Sequence, residues 1–197
     1  MLPLFVTNRL DAFIFYMVLL VWCVPEILIS FIKRTAPGAK RNDRASRAMI
    51  FAGNWLGIYA GFQIAYSFPA FAIPWHRTAL FVAAIFLMLA GMVFRRYSIG
   101  VLGRFFTTEV AIQPGQTVVE KGPYHFIRHP SYSGALLTLF GVALAFTNWL
   151  SLIAVVAITF IGYFYRVSVE EKTLVDALGE PYRQYMKRTK RFIPFVV

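Results

Sequence analysis

Residues 122–134, with the sequence GPYHFIRHPSYSG, form the most polar and sterically specific stretch of a very apolar chain. Gly122-Pro123 predicts a turn, and Pro130 biases His129 towards extended backbone while suiting the first turn of a following helix. We therefore expect a loop that presents Tyr124, Arg128 and His129 beside a helix N-terminus. Because the unpaired amides there favour negative charge, this loop is suited to binding a polar group.

A second polar pair, Arg166 and Glu170, follows a long apolar run. Their i,i+4 spacing places both on one helix face, which is equally typical of an ordinary helical salt bridge worth a few tenths of a kcal/mol. Arg128-His129-Pro130 alone is likewise compatible with a cluster at a membrane surface. The sequence has no glycine-rich phosphate loop, no His/Cys metal-ligand cluster and no Ser-His-Asp arrangement with an orienting partner. The residues alone predict a polar pocket over a helical bundle, without a metal.

The composition indicates a membrane protein. The chain has 197 residues, 58% of them hydrophobic and 17% aromatic, with a mean hydropathy of +0.61, which is rare in soluble domains. This length predicts one domain spanning residues 1–197. The 20 Lys and Arg against 9 Asp and Glu fall between apolar runs, so they indicate membrane topology and anionic-lipid contacts instead of nucleic-acid binding. Cys23 is the single cysteine, which excludes an internal disulfide.

The apolar runs predict five transmembrane helices. A helix rises about 1.5 Å per residue and must cross about 30 Å of hydrocarbon. The last two runs are short and predict a tight helical hairpin that turns at Thr147-Asn148. The first run is too long for a signal-peptide core, so we expect a retained helix. The spans are predicted at about residues 10–32, 48–68, 78–94, 134–147 and 149–165.

Basic residues concentrate in 33–47, 95–128 and the segment from Arg166 onward. The positive-inside rule therefore predicts an outer N-terminus and a cytoplasmic C-terminus and polar pocket. Glu26 interrupts the first span, and it is either a functional group or a residue near the membrane surface that pairs with Lys33 or Arg34.

Two further patterns concern packing and loop structure. Gly53, Gly57 and Gly61 recur every four residues and predict close helix packing, although a small-residue face can also border a lipid tail. The β-like runs 110–112 and 117–119 flank Pro114-Gly115 and predict a small hairpin or a paired extended loop.

Taken in order, the polar motifs resemble those of the isoprenylcysteine carboxyl methyltransferase family, part of a wider group of membrane methyltransferases that includes phospholipid N-methyltransferases. The resemblance covers about residues 107–194, and the N-terminal half matches only as apolar spans. The motifs that carry it are Gly122-Pro123-Tyr124, Arg128-His129-Pro130-Ser131-Tyr132, Gly134, Arg166, Glu170-Glu171, Leu174, Gly179-Glu180 and Tyr182.

The resemblance implies an all-α membrane fold with a cytoplasmic pocket, which the loop before the fourth helix and the C-terminal helices form. It further implies that this pocket binds S-adenosylmethionine, outside any Rossmann fold, and that the product is S-adenosylhomocysteine. It implies catalytic roles for Arg166, which would face and position the methyl acceptor, and for His129 and Glu170. The family commonly has His where this chain has Gln116, a residue that still donates and accepts hydrogen bonds. The implied cofactor-binding residues are Gln116, Thr117, Val118, Val119, Tyr124, His129, Pro130, Ser131, Tyr132 and Glu170.

The leading hypothesis is methyl transfer to a lipophilic acceptor, with carboxyl O-methylation of an isoprenylcysteine as the nearest model. A phospholipid amine acceptor is the first alternative and would need a base such as Glu170 or His129. A nicotinamide-dependent reductase, which distantly resembles sterol reductases, and a membrane scaffold or transporter are further alternatives. The expected partners are a lipophilic small molecule or lipidated cysteine and membrane lipids, with no nucleic acid. The sequence leaves the natural acceptor and the oligomeric state open.

Overall fold

A computed structural model describes residues 1–32, 41–43 and 45–194 of the chain. The predicted loop residues Lys33, Arg34, Pro37-Gly38, Lys40 and Arg44 lie outside this part. Short 3-10 turns cover Pro69–Phe71, Gly103–Phe105 and Gly122–His125. The helices are α1 (Leu4–Thr7), α2 (Arg9–Ile32), α3 (Ala45–Ser67), α4 (Arg77–Leu102), α5 (Pro130–Ala145), α6 (Trp149–Leu178) and α7 (Glu180–Arg188), and the two strands are β1 (Arg41–Asp43) and β2 (Val110–Ala111).

The predicted helical membrane bundle is confirmed. Within the described residues, four segments are long and apolar enough to cross a membrane, and the apolar helix α5 is shorter, with 16 residues. The four segments are Arg9–Ile29, Ser46–Ser67, Arg77–Phe105 and Trp149–Leu178. The predicted hairpin turn is also found, because α5 ends at Ala145 and Asn148 caps α6 by accepting a hydrogen bond from the Ser151 amide at 3.1 Å. The protein is therefore an integral membrane protein.

Helices α4 and α6 continue past the predicted ends of their spans at residues 94 and 165, to Leu102 and Leu178. The predicted spans stop directly before Arg95 and Arg166, the first charged residues after each apolar run. Neither residue breaks a helix, and Arg is a good helix former. A charge therefore marks where the apolar environment ends and not where the helix ends.

The predicted pairing of 110–112 with 117–119 is wrong. Strand β2 pairs antiparallel with β1, and no strand is assigned to 117–119 within the described chain. Around Pro114-Gly115 the chain instead makes a tight turn. The Gln116 amide donates to the Gln113 carbonyl at 3.1 Å, and the Gln116 side chain accepts from the Gln113 amide at 2.8 Å. Local β-propensity could not reveal the partner strand, since it lies about 70 residues earlier in the chain.

Helices α4 and α5 pack with their backbones in close approach. A Cβ atom added at Gly134 would lie 2.7 Å from the Arg95 amide nitrogen and 2.7 Å from the Gly91 carbonyl oxygen. Any larger residue at Gly134 would push the helices apart. This contact fixes the first turn of α5, and the loop before it, against the end of α4 that carries Arg95.

Helices α3 and α6 pack through part of the predicted glycine face. A Cβ atom at Gly61 would lie 2.5 Å from Val155 and 2.7 Å from the Phe146 ring, and one at Gly57 would lie 3.3 Å from Thr159. A Cβ atom at Gly53 would meet no described atom within 4 Å. Close packing is therefore confirmed for two of the three glycines.

The glycine face yields a matched prediction. We expect Gly61→Ala to lower the free energy of unfolding by about 1–3 kcal/mol, because the new methyl group overpacks the contact with α6. Gly53→Ala should raise it by up to about 1 kcal/mol through helix propensity alone. Thermal unfolding in detergent checks both, and equal stability of the two variants would contradict the packing argument.

Candidate active site

Two cavities adjoin at the end of the bundle where the polar motifs gather. The polar cavity measures about 780 Å³, including the open space at its mouth, and is walled by the 102–119 segment, the loop before α5, the end of α6 and α7. The apolar cavity measures about 1270 Å³ on the same basis and lies among α2, α3, α4, α5 and α6. Phe106, Thr107 and Tyr132 line both cavities, so these three residues form their common boundary.

The polar cavity brings together most of the residues that the resemblance implied. Pro130 is fully buried as the first residue of α5 and does not line the cavity, so its local role is to start the helix. Arg166 lines the apolar cavity instead. The predicted residues that line the polar cavity are Gln116, Thr117, Val118, Val119, Tyr124, His129, Ser131, Tyr132 and Glu170.

Tyr132 connects the two cavities chemically. Its hydroxyl donates to the Glu170 carboxylate at 2.7 Å and accepts from Arg166 Nε at 3.2 Å, whereas Arg166 Nε and Glu170 lie 3.9 Å apart. Arg166 is 2% exposed and also donates to Ser46 Oγ at 2.5 Å and to the Thr108 carbonyl at 3.1 Å. Arg166 and Glu170 thus belong to a buried network and are not an ordinary surface salt bridge.

Glu171 holds the loop of the polar cavity in place. This buried carboxylate accepts from Arg128 Nε at 2.7 Å and from Arg191 Nε at 2.9 Å, and it lies 3.3 Å from His129 Nε2. In the same loop, the backbone amide of His129 donates to the Arg191 carbonyl at 3.0 Å. We call Glu171, Arg128, His129 and Arg191 the Glu171 cluster. Sequence reasoning assigned Glu171 no role, although its place beside Glu170 in the quoted motif was a signal.

Tyrosines form much of the remaining wall of the polar cavity. Burial raises the pKa of Tyr124 and of Tyr182, so both phenols stay neutral at physiological pH. Tyr185 donates to the Tyr124 carbonyl at 2.6 Å, which fixes the loop against α7. Among the described residues, the buried Tyr182 hydroxyl has no hydrogen-bond partner. It therefore offers a donor to a bound ligand, beside aromatic surfaces and the Glu170 carboxylate.

The apolar cavity contains several charges in its otherwise hydrophobic wall. Glu26 accepts two hydrogen bonds from Arg95, each at 2.7 Å, and Arg95 also donates to the Ser131 carbonyl at 3.1 Å. The partner of Glu26 in the described chain is thus Arg95, where the sequence suggested Lys33 or Arg34. The apolar part of the wall consists mainly of Trp22, Cys23, Ile27, Ile50, Phe51, Trp55, Ala135 and Tyr163. None of Gly53, Gly57 and Gly61 lines this cavity, so the lipid-tail alternative for that face gains no support.

The fold and the two adjoining cavities define a helical membrane protein with a polar and a lipophilic binding site in contact. Residues 83–176 match the isoprenylcysteine carboxyl methyltransferase (ICMT) family. The resemblance predicted from the sequence is confirmed over these residues.

Relatives and a solved structure agree with the family match. Protein-S-isoprenylcysteine O-methyltransferase B of Arabidopsis thaliana is 31% identical over 112 residues, which are 56% of this chain and 57% of the relative. The Schizosaccharomyces pombe enzyme of that name is 27% identical over 131 residues, 66% of this chain and 56% of the relative. A structure of the eukaryotic intramembrane Ras methyltransferase ICMT aligns with a TM-score of 0.58 and 25% identity, covering 79% of this chain and 54% of that one.

Another relative is named for a different methyl acceptor. Methanethiol S-methyltransferase 1 of Bradyrhizobium diazoefficiens is 35% identical over 72 residues, which are 36% of this chain and 24% of the relative. The chain spans about half the length of the curated isoprenylcysteine methyltransferases that it matches.

The Glu171 cluster predicts a specific loss of stability. We expect Glu171→Gln to lower the free energy of unfolding by about 3–5 kcal/mol, because it removes the buried counter-charge of Arg128 and Arg191, whose side chains are 9% and 26% exposed. Thermal unfolding in detergent measures the effect. Glu180→Gln, at a 61% exposed side chain on α7, is the matched control and should leave the melting temperature unchanged. If both variants melt alike, Glu171 does not hold the loop.

Proposed function

We propose that the protein is an S-adenosylmethionine-dependent methyltransferase whose acceptor is a lipophilic carboxylate, with an isoprenylcysteine as the nearest model. The observation that carries the proposal is the contact of the polar and apolar cavities at Tyr132. A reaction between a polar donor and a lipophilic acceptor requires two such sites that meet at one point. The family match and the names of the relatives support methyl transfer as that reaction.

The residues of the polar cavity fit the proposed donor. The segment 116–119 and Tyr124 would border the nucleoside part, and the Tyr182 hydroxyl would gain its missing partner. The Glu170 carboxylate suits a cationic part of the molecule, and Tyr132 orients that carboxylate. When bound, S-adenosylmethionine supplies an already activated sulfonium methyl group. The work of the protein is therefore alignment of the acceptor and exclusion of water.

Arg166 is the residue best placed to position the acceptor. It lines the apolar cavity beside the common boundary, and Ser46, Thr108 and Tyr132 fix its guanidinium group. A guanidinium group presents paired N–H donors that match a carboxylate. The acceptor carboxylate is ionised at neutral pH and needs no general base, so we assign Arg166 a positioning role. His129, bound in the Glu171 cluster, would keep the loop of the polar cavity in place.

The charges favour a carboxylate over an amine. The described lining of the apolar cavity includes three arginines, Arg47, Arg95 and Arg166, and one carboxylate, Glu26. Positive charge is therefore in excess there. An amine acceptor must lose a proton, and the two suggested bases are already engaged. Glu170 accepts from Tyr132, and His129 contacts Glu171. A carboxylate acceptor needs no such base, so the phospholipid amine is the less favoured alternative.

We further propose that the polar cavity opens to the cytoplasm, with the N-terminus outside. Arg95, Arg104, Lys121, Arg128 and Arg191 all belong to the end of the bundle that carries the polar cavity, which agrees with the positive-inside rule. Anionic lipids would contact this end. The soluble donor then enters from the cytoplasm, and the lipophilic acceptor enters from the bilayer.

Turnover assays test the proposed acceptor class. With methyl-labelled S-adenosylmethionine and purified protein, we expect methyl esters of N-acetyl-S-farnesylcysteine and no methylation of ethanolamine phospholipids or methanethiol. Labelling of the amine lipid, or of the thiol alone, would contradict the carboxylate assignment. Binding and oxidation of a reduced nicotinamide cofactor would instead support the reductase alternative.

Arg166→Lys separates acceptor positioning from donor binding. Because lysine presents a point charge and no paired donors, kcat/KM for the farnesylcysteine acceptor should fall about 10–100-fold, a loss of about 1.4–2.8 kcal/mol. The affinity for S-adenosylmethionine should change little, since Arg166 does not line the polar cavity. Arg183→Lys, at an exposed side chain of α7, is the control. Loss of donor affinity with unchanged acceptor kinetics would contradict the assignment.

A further inference from the structure

We infer that Glu26 and Arg95 form a hydrogen-bonding subsite of the apolar cavity, which selects acceptors with an N–H or O–H group next to the methylated carboxylate. The inference rests on the proposed function and deepens it by adding a feature of the acceptor. Glu26 lies in α2, outside residues 83–176 that match the family. The subsite therefore depends on the half of the chain that the family motifs do not cover.

The Glu26–Arg95 pair retains bonding capacity towards the cavity. The two carboxylate oxygens each accept one N–H of Arg95, and a third N–H binds the Ser131 carbonyl. A carboxylate offers about four lone-pair sites and a guanidinium five N–H groups, so this pairing uses only part of either. The side chain of Glu26 is 25% exposed and that of Arg95 12%, and both line the apolar cavity. An incoming donor can thus bind Glu26 without breaking the ion pair.

Neighbouring polar atoms also lack partners. Trp22 precedes Glu26 by one turn of α2 and Asn54 lies on α3, and both line the same cavity. In the part of the chain that the structure describes, Trp22 Nε1 and Asn54 Oδ1 are buried without a hydrogen-bond partner. A prenyl chain offers neither a donor nor an acceptor, and unpaired buried polar atoms are costly. This wall of the cavity therefore fits a polar group better than hydrocarbon alone.

The subsite lies close to the proposed reaction point. Arg95 binds the carbonyl of Ser131, which directly precedes Tyr132 at the boundary of the two cavities. Asn54 donates to the Tyr163 hydroxyl at 3.3 Å, and Tyr163 precedes Arg166 on α6 by about 4.5 Å of helix rise. Arg166 and the subsite therefore line the same cavity, next to Tyr132 and Tyr163. An acylamino or hydroxyl group on the carbon next to the acceptor carboxylate supplies the required donor.

Three matched acceptors test the inference. N-acetyl-S-farnesylcysteine carries an acylamino group, 3-farnesylthio-2-hydroxypropanoate carries a hydroxyl group, and 3-(farnesylthio)propanoate carries neither. All three share the carboxylate, the thioether and the prenyl chain. An acceptor with an N–H or O–H group can form a hydrogen bond to a charged group of the subsite. We therefore expect its kcat/KM to be at least about tenfold higher than that of the propanoate, because its KM is lower. The first two compounds distinguish acylamino from hydroxyl recognition.

Glu26→Gln tests the residue while preserving its shape and one oxygen for Arg95. We expect the preference to shrink to about threefold or less, because kcat/KM falls more for the two acceptors with an N–H or O–H group than for the propanoate. A purely structural role would lower all three rates by the same factor and leave the preference unchanged. The control is Asp11→Asn, which also replaces a carboxylate by its amide. Asp11 lies near the other end of α2 and lines neither cavity.

Cys23 gives a readout that does not depend on turnover. It is the single cysteine of the chain and lines the same cavity. The rate of its alkylation by N-ethylmaleimide, followed by the mass of the intact protein, therefore reports whether the cavity is occupied. In the wild type, the two acceptors with an N–H or O–H group should slow the labelling of Cys23 more than the propanoate does. In Glu26→Gln, this difference should disappear.

The outcomes separate this inference from the proposed function. Equal methylation of all three acceptors, or a preference that survives in Glu26→Gln, overturns the subsite and leaves the proposed function standing. Selective protection of Cys23 without methylation supports the subsite and overturns the proposed acceptor chemistry. Absence of both methylation and protection overturns the two proposals together.

Discussion

A charge placed among apolar helices must be paired, and this requirement determines how the site is built. Glu171 lies between Arg128, His129 and Arg191, Glu26 pairs with Arg95, and Arg166 is bound by Ser46, Thr108 and Tyr132. Each of these contacts joins segments that are far apart in sequence. Since removing one partner of a buried pair costs about 3–5 kcal/mol, the pairs hold the loop and the helices in one arrangement.

Glycine contacts make that pairing geometrically possible. The close approach of α4 and α5 at Gly91 and Gly134 brings Arg95 within reach of the Ser131 carbonyl. The Tyr132 ring stands between the two cavities. It stacks on His129 at 5.7 Å and meets Tyr163 edge-on at 5.5 Å, measured between ring centroids. Packing between helices thus sets the position of a residue whose hydroxyl touches both Glu170 and Arg166. A shift of α5 would disturb both cavities at once.

Much of the fold could be predicted from the sequence, because apolar runs and turn residues act locally. The helical hairpin at Thr147-Asn148 and the start of α5 at Pro130 follow from short-range rules. The loop with Tyr124, Arg128 and His129 also follows from such rules. The segment 116–119 and the role of Glu170 could be named only through the family resemblance, since the spacing of Arg166 and Glu170 alone also fits a surface salt bridge. The roles of those residues stay predictions, although the structure brings most of them to one cavity.

The features that sequence reasoning missed depend on long-range contacts. Glu26 and Arg95 are 69 residues apart, and the basic residue was read as a topology signal because nothing local marks its partner. The pairing of β2 with β1 was missed for the same reason, since β-propensity does not specify a partner strand. Glu171 was overlooked because its neighbour Glu170 already carried the implied role.

The most direct test of the central claim is calorimetric titration of S-adenosylmethionine and S-adenosylhomocysteine into the detergent-purified protein. Glu170→Ala should abolish binding, and Glu180→Ala, at the exposed start of α7, should leave it intact. We expect a Kd on the order of micromolar for the wild type, or about −8 kcal/mol. Absence of binding to a wild-type protein shown to be folded, or unchanged binding in Glu170→Ala, would contradict a cofactor site in the polar cavity.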